Sequence, residues 1–258
     1  MHYTDLFNDK SDLYARARPT YPKALYTFLA DQCTHHKLAW DCACGNGQSA
    51  INLVKHFNHV NATDVSANQI ANAFMHPKIT YSVCPSEQTP FQSQTFDAVC
   101  VAQALHWMNF DCFWPEVQRV LKPGGLFATW GYTWTKLTPQ IDAIVQTALL
   151  DVINPYWATQ NKLLWDHYQD ISIPFELIDT PEFTMTTEWT LAEFVAYLHT
   201  WSSTRRCIDA INDDFFDALY QQLLEVWGDA KKRTSVTFEF CCLVGMNNIK
   251  VNEKISDR

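Results

Sequence analysis

The 258-residue chain contains seven glycines, few for its length, so two that lie close together mark a backbone with a special requirement. It has no run of about 18 apolar residues of the kind that spans a membrane. Its first residues lack the basic and apolar regions of a signal peptide. Paired Cys-x-x-Cys spacing is missing too, which argues against a zinc site. We therefore expect a cytoplasmic protein that binds no metal.

Positive charge is also scarce, with 19 Lys and Arg against 28 Asp and Glu, a net charge of -9. Binding to nucleic acid needs a concentrated positive face, so we expect neither a nucleic-acid partner nor a membrane partner. The nine cysteines are an odd number with no secreted context, which favours reduced thiols. A hydrophobic fraction of 47% with 14% aromatics indicates a globular chain of one domain, or of one domain with an insertion.

Two of the seven glycines stand one residue apart, in Gly45-Asn46-Gly47. An apolar run that ends in Asp41 precedes them and an amphipathic segment follows, the pattern of a strand, a tight loop and a helix in a nucleotide-binding α/β fold. Gly45-x-Gly47-x-x-Ala50 also satisfies the loose dinucleotide fingerprint. However, the Asp41 carboxylate would repel a diphosphate and attract an ammonium group. A nucleoside with an amino-acid amine and no phosphate, such as S-adenosylmethionine, fits better.

At this motif the chain resembles the class I S-adenosylmethionine-dependent methyltransferases, in the type 11 branch that includes trans-aconitate methyltransferase-like proteins. The family pattern Asp-x-Gly-Cys-Gly-x-Gly reads Asp41-Cys42-Ala43-Cys44-Gly45-Asn46-Gly47 here. Ala43 replaces the first glycine, so we expect its φ to be negative. The resemblance implies a doubly wound, mostly parallel α/β sheet of seven strands, a helical cap insertion, and a last strand over 234–244 that runs antiparallel.

The resemblance continues along the chain and implies further cofactor contacts. Asp64 ends the second strand, 17 positions beyond Gly47, where a carboxylate accepts hydrogen bonds from ribose hydroxyls. The family's adenine-binding Asp falls on Pro85, so Ser86, or the backbone of Ser86 and Glu87, is expected to take its place. The expected cofactor residues are Tyr14, Arg18, Asp41, Ala43, Gly45, Gly47, Asp64, Val65, Ser86, Glu87 and Gln103.

Two of these expectations have ordinary alternatives. Tyr14 and Arg18 are predicted to reach the methionine carboxylate, although Arg18 would also be explained as a surface residue. The fourth strand runs into Gln103, His106 and Trp107, which should face the methyl group or its acceptor. His106 is the candidate general base if the acceptor is not a carboxylate; without the family context it would read as a structural histidine.

From Tyr132 onwards the pattern changes to helices with interleaved aromatics. We predict a core with an N-terminal lid over 1–132, a substrate cap over 133–230 that includes a sixth strand at 181–189, and a last strand and tail over 231–258. The segment 198–206, with clustered cations beside aromatics, resembles the Thr-Trp-Ser segment of trans-aconitate methyltransferase-like proteins, and this resemblance implies an anionic acceptor. Most of the aromatics would also be explained as core, and the cations as a solvated surface pair. The expected substrate-binding residues are His106, Trp107, Tyr132, Trp134, Trp201, Arg205 and Arg206.

The function predicted is methyl transfer from S-adenosylmethionine to a small acceptor, in particular a carboxylate, which is already deprotonated at neutral pH. Three alternatives stay open at this point. They are an NAD-dependent oxidoreductase, a cofactor-binding module without turnover, and an RNA methyltransferase, which the negative charge disfavours. The residues indicate neither the identity of the acceptor nor an oligomeric state.

Overall fold

The structure is a computed structural model that describes residues 18–248. The chain divides into two compact units. The first, here called the sheet unit, contains Tyr21–Tyr132, Leu163–Phe183 and the described residues from Phe240 onwards. The second, here called the helical unit, contains the described residues before Tyr21 together with Thr133–Lys162 and Thr184–Glu239. Within residues 18–248, no helix has the length and apolar character needed to cross a membrane.

Helices and strands alternate through the first half of the chain, as a doubly wound sheet requires. The strands are β1 Leu38–Cys42, β2 His59–Asp64, β3 Ile79–Val83, β4 Phe96–Ala102, β5 Leu121–Lys136, β6 Glu176–Ile178, β7 Met185–Trp189 and β8 Thr234–Met246. The α-helices are α1 Lys23–Gln32, α2 Ala50–Leu53, α3 Ala67–Ala71, α4 Phe110–Val120, α5 Pro139–Val145, α6 Asp151–Ile153, α7 Asn161–Trp165, α8 Leu191–His199, α9 Ser202–Ile211 and α10 Asp214–Trp227.

The sheet has the order β3-β2-β1-β4-β5-β8-β6, and β7 also pairs with β8. β1 pairs in parallel with β2 and β4, β2 with β3, and β4 with β5. β4 is buried along nearly its whole length, as its continuous apolar sequence requires of a strand covered on both faces. The strand order reverses beside β1, and this places the carboxyl ends of β1 and β4 at the crevice where such sheets bind ligands.

The predicted doubly wound, mostly parallel α/β fold is confirmed, and the sheet formed within residues 18–248 has eight strands where seven were predicted. The segment predicted as one sixth strand, 181–189, is a strand only from Met185 onwards. A short strand that the sequence analysis did not predict, β6, precedes it. Both are antiparallel to β8, β7 along its first residues and β6 along its last. Between them lies Pro181, which has no N–H to contribute to a ladder.

β8 also runs antiparallel to β5, as predicted for the last strand. The backbone of Asn247, just after β8, exchanges hydrogen bonds with Gly124 and Gly125 near the start of β5. Glu239, in the middle of β8, accepts a hydrogen bond from Thr133, near the end of β5. The compact units differ from the predicted ranges in one respect that matters for the site: residues 163–183 belong to the sheet unit.

Candidate functional site

The loop after β1 contains three residues in the left-handed backbone region. Ala43, Gly45 and Gly47 have φ values of 54°, 56° and 86°. The expectation of a negative φ at Ala43 was therefore wrong. The left-handed region brings Cβ close to the following carbonyl oxygen, at roughly 1–2 kcal/mol for a residue other than glycine. Ala43 therefore carries strain that glycine would avoid.

The two glycines of the loop have different surroundings. A Cβ placed on Gly45 would meet nothing nearer than the Oε1 atom of Gln69 at 3.9 Å, so the space beside its backbone is open. A Cβ on Gly47 would lie 2.1 Å from the hydroxyl oxygen of Tyr81. That hydroxyl donates to the carbonyl of Phe74 at 2.9 Å, which holds the ring over the loop. A ligand can approach closely at Gly45, whereas Gly47 makes room for Tyr81.

Asp64, at the end of β2, holds the glycine loop in place. One carboxylate oxygen accepts the backbone N–H of Gly45 at 2.8 Å, and the other accepts the N–H of Ser66 at 2.8 Å. Each oxygen can accept more than one hydrogen bond, so both retain capacity for a ligand hydroxyl. Val65, the next residue, is an apolar side chain that is 70% exposed. A carboxylate and an apolar surface therefore lie together beside the open face of Gly45.

Asp41 lies in β1 between Ala62 of β2 and Cys100 of β4. Its side chain has no exposed surface, and neither carboxylate oxygen has a hydrogen-bond partner among the described residues. Burial raises the pKa of this carboxyl to about 8; an interaction with the backbone N–H of Ala50 opposes the rise, and the charge of Asp64 adds to it. A buried carboxyl without partners is unfavourable when charged, so Asp41 holds a proton at neutral pH.

Ser86 and Glu87 follow β3 and belong to the same edge of the sheet. Ser86 is buried, and its hydroxyl interacts with the thiol of Cys42. The Glu87 carboxylate accepts the backbone N–H of Asn109 at 3.1 Å, next to the start of α4. Both side chains therefore have partners inside the protein, and the backbone of this loop is the part that could receive an adenine ring.

Gln103 follows β4 with φ of 58°, a second strained residue at the same edge. Its side-chain amide donates to the carbonyl of Tyr132 at 2.8 Å and accepts the N–H of Tyr132 at 2.8 Å. Its own backbone N–H donates to the carbonyl of Trp130. In the structure Gln103 joins the carboxyl end of β4 to Trp130 and Tyr132 of β5, and its contact with a ligand stays a prediction.

His106 lies in a short 3-10 helix, Leu105–Trp107, and is 4% exposed. Its ring lies 4.7 Å from the ring of Trp107, which is 47% exposed. The Nδ1 atom lies 3.2 Å from the hydroxyl of Tyr168, whose ring is stacked on the imidazole. Burial lowers the pKa of His106 to about 4, so the imidazole is neutral at pH 7.

Tyr168 reaches His106 through the end of α7. The N–H of His167 donates to Leu164 and the N–H of Tyr168 donates to Leu163, the two hydrogen bonds of a Schellman motif. His167 and Tyr168 both have positive φ, 52° and 59°. A Cβ on Gly131 would lie 2.7 Å from Leu164, so this segment packs closely on β5.

Comparisons with known proteins agree on one family. Residues 40–129 match a family model described as a methyltransferase domain. A Dictyostelium discoideum protein provisionally named a methyltransferase is 30% identical over 237 residues, 89% of this chain and 90% of that protein. A solved structure from Anaeromyxobacter dehalogenans, provisionally described as a type II methyltransferase, is 31% identical, with a TM-score of 0.83, and covers 89% of this chain and 98% of that one. The chain belongs to the class I S-adenosylmethionine-dependent methyltransferases.

A third relative has a named substrate. The malonyl-acyl-carrier-protein O-methyltransferase of Herminiimonas arsenicoxydans is 37% identical over 94 residues, 34% of this chain and 35% of that protein.

The methyltransferase described here uses S-adenosylmethionine as its cofactor, and the alternative of an NAD-dependent oxidoreductase does not apply to this family.

The residues at the carboxyl edge of the sheet fit this cofactor. Its amino-acid end carries an ammonium group, and Asp41 is a buried carboxyl without a partner. Its ribose offers two hydroxyls, and Asp64 has free acceptor capacity beside the open face of Gly45. The Asp41 oxygens have no exposed surface, so direct contact with the ammonium group would require movement of the residues that cover them.

The other predicted site residues are distributed as follows. Tyr14 lies outside the described residues. Tyr132 is buried in the sheet unit, with its ring 6.0 Å from that of Tyr21. Arg18, which is exposed, belongs to the helical unit, as do Trp134, Trp201, Arg205 and Arg206.

Within the helical unit, Trp134, Trp157 and Trp201 form a cluster with ring centroids 5.9 to 6.2 Å apart. The Nη1 atom of Arg206 donates to the carbonyl of Tyr156 at 3.1 Å. Binding of the acceptor by Trp134, Trp201, Arg205 and Arg206 stays a prediction.

The sequence analysis missed two residues that shape the site. Tyr168 lies 62 positions from His106 and was not singled out among the interleaved aromatics that follow Tyr132. Tyr81 was not singled out from the sequence at all. A residue pattern signals neither contact, because both depend on how distant segments pack.

Proposed function

We propose that this methyltransferase transfers the methyl group to a carboxylate oxygen of a small molecule and forms a methyl ester. The observation that carries the proposal is the state of His106, the titratable side chain that follows β4. It is buried, neutral and weakly basic. A histidine in this state is better suited to donate a hydrogen bond to the methyl acceptor than to remove a proton from it.

The magnitude of the pKa difference favours this acceptor class. A phenolic hydroxyl has a pKa of about 10, so a base with a pKa of about 4 would accept its proton at a cost of about 8 kcal/mol. A carboxylic acid has a pKa of about 4 and is ionised at pH 7 without help. A carboxylate therefore needs orientation, shielding from water and no base.

Each residue of the edge has a role in this proposal. Asp41 pairs with the ammonium of the cofactor, Asp64 with the ribose hydroxyls, and Val65 with one face of the adenine ring. The cofactor supplies a methyl group on a positively charged sulfur, and the electron pair of the broken carbon–sulfur bond stays on that sulfur. His106 donates from Nε2 to one carboxylate oxygen of the acceptor, so that the other oxygen is directed at the methyl group. Trp107 offers an exposed ring that excludes water from the acceptor.

Two resemblances support a carboxylate. The malonyl group named in the relative from Herminiimonas arsenicoxydans ends in a carboxylate, although that match covers 34% of this chain. The trans-aconitate methyltransferase-like proteins that the sequence resembles suggest an anionic acceptor as well. The predicted acceptor residues Arg205 and Arg206 would suit such a charge.

The experiment is a screen of small carboxylic acids for methyl esters, detected by mass spectrometry together with S-adenosylhomocysteine. At saturating cofactor, kcat should not change between pH 6 and 8, because neither the acceptor nor His106 titrates there. The variant His106→Gln, whose amide N–H lies near the position of Nε2, should retain more activity than His106→Ala. The proposal would be excluded if the wild-type enzyme formed no methyl ester from any acid in the screen. It would also be excluded if both variants lost activity equally and the wild-type kcat rose with pH.

A further inference from the structure

The His106 imidazole hydrogen bonds to Tyr168. Their atoms Nδ1 and Oη lie 3.2 Å apart, and both side chains are almost completely buried. The Nε2 atom, at the other side of the ring, hydrogen bonds to none of the described residues. One nitrogen therefore has a partner built into the protein and the other is available to a ligand.

We propose that Tyr168 is a positioning residue, whose hydroxyl donates to Nδ1 of His106 and so keeps the proton of the neutral imidazole on Nε2. This deepens the proposed function and rests on it for the role of Nε2 as a donor to the acceptor carboxylate. In a neutral imidazole one nitrogen donates and the other accepts, so the partner of Nδ1 decides what Nε2 can do.

Three features favour Tyr168 as the donor in this pair. Burial raises the pKa of the Tyr168 hydroxyl well above its usual value, so the hydroxyl keeps its proton. The backbone N–H of His106 also interacts with Oη as a donor, so donation of the O–H to Nδ1 uses both the donor and the acceptor capacity of the hydroxyl. The thiol of Cys241, which interacts electrostatically with Tyr168, has its pKa raised to about 11 by burial and is neutral. No charged group therefore competes for the hydroxyl among these neighbours.

The backbone around Tyr168 shows that its position is strongly determined. Two successive residues other than glycine, His167 and Tyr168, adopt positive φ, and such strain persists where the surrounding structure requires it. Leu164, in the preceding turn, packs so closely on Gly131 that no side chain fits there. The end of α7 is therefore held against β5, and the Tyr168 ring is stacked on the imidazole.

The proposal has a chemical consequence. With Nδ1 as acceptor, Nε2–H is a donor that holds a carboxylate oxygen and takes no proton from it. If the hydrogen bond ran the other way, from Nδ1–H to Oη, Nε2 would be a lone pair that repels a carboxylate. The tautomer with the proton on Nε2 therefore suits an acceptor that is already ionised. The tautomer with the proton on Nδ1 would suit an acceptor from which a base must remove a proton.

The test reads the tautomer directly. Nitrogen-15 NMR of the imidazole in the protein without acceptor should show the proton of His106 on Nε2, and His106→Gln identifies the signal. In Tyr168→Phe both tautomers should be populated, and KM for the carboxylate should rise about five- to tenfold, with a smaller change in kcat. The control Tyr220→Phe removes the hydroxyl of a buried tyrosine in α10 and should leave spectrum and kinetics unchanged.

A proton on Nδ1 in the wild-type protein would overturn the proposal, and so would a Tyr168→Phe variant with an unchanged tautomer. The wild-type spectrum decides even if Tyr168→Phe does not fold. Because the spectrum needs no acceptor, its result is independent of the substrate. An Nε2 proton in an enzyme that forms no methyl ester would refute the proposed function and leave the role of Tyr168 intact.

Discussion

Substitution of Asp41 by Asn should make stability less dependent on pH. The carboxyl is buried, has no hydrogen-bond partner among the described residues, and has a pKa of about 8. In the unfolded chain the same carboxyl has a pKa of about 3.9. Between these two values the folded protein holds a proton that the unfolded chain has released. Asp41 therefore lowers the free energy of unfolding as pH rises from about 4 to about 8, and the loss levels off above the folded pKa.

The slope in this window is at most about 1.4 kcal/mol per pH unit. Between pH 6 and 8 the contribution of Asp41 should fall by about 2 kcal/mol, as the carboxyl begins to ionise near the upper limit. Asn has the same shape and does not titrate. The stability of Asp41→Asn relative to wild type should therefore increase by about 2 kcal/mol over this range.

Urea unfolding of both proteins at pH 6, 7 and 8 measures this difference, and the comparison cancels the titration of all other groups. Asp97→Asn is the matched control. Burial opposes the charge of Asp97, but Lys122 and the backbone N–H groups of Leu38 and Lys37 lower its pKa, so it is ionised in both states above pH 6. The difference in free energy of unfolding between Asp97→Asn and wild type should therefore be the same at pH 6, 7 and 8. Parallel curves for wild type and Asp41→Asn would refute the reasoning.

The same carboxyl connects stability to the proposed cofactor contact. An ammonium beside Asp41 lowers its pKa, so binding of S-adenosylhomocysteine, which has the same amino-acid end, should release about 0.9 of a proton at pH 7. Calorimetric titrations in buffers with different ionisation enthalpies measure this release. Asp41→Asn should release none, and equal release from both proteins would exclude Asp41 as the group that ionises.

Two further substitutions test the backbone of the site. Ala43→Gly should stabilise the protein by about 0.5–1 kcal/mol in urea unfolding, because relief of the positive φ exceeds the added entropy of the unfolded chain. The control Ala30→Gly, in α1, should destabilise by about 1 kcal/mol, and destabilisation by both would contradict the strain at Ala43. Gly131→Ala should destabilise by about 1–3 kcal/mol, because its Cβ would lie 2.7 Å from Leu164. Adding Leu164→Ala should cost less in this variant than in wild type, and equal costs would show that the two residues are not in contact.

The cofactor edge of the sheet was largely predictable from sequence because its signals are local. An apolar strand, two glycines one residue apart and an acid at the end of the next strand each depend on neighbouring residues. The structure also brings Gly45 and Asp64 into a direct hydrogen bond, which the sequence did not predict. The same local reasoning failed at Ala43, because the packing of the loop against β2 outweighs the preference of alanine for negative φ.

The sequence by itself determined the alternation of strands and helices, the parallel core of the sheet and the family, because apolar periodicity and turn chemistry act over a few residues. Tertiary structure alone decided that Asp41 is sealed and protonated, that Tyr81 covers Gly47, and that Tyr168 meets His106. Burial and contact between segments 62 positions apart are properties of the packed sheet unit, and they set the pKa and hydrogen bonding on which the chemistry depends.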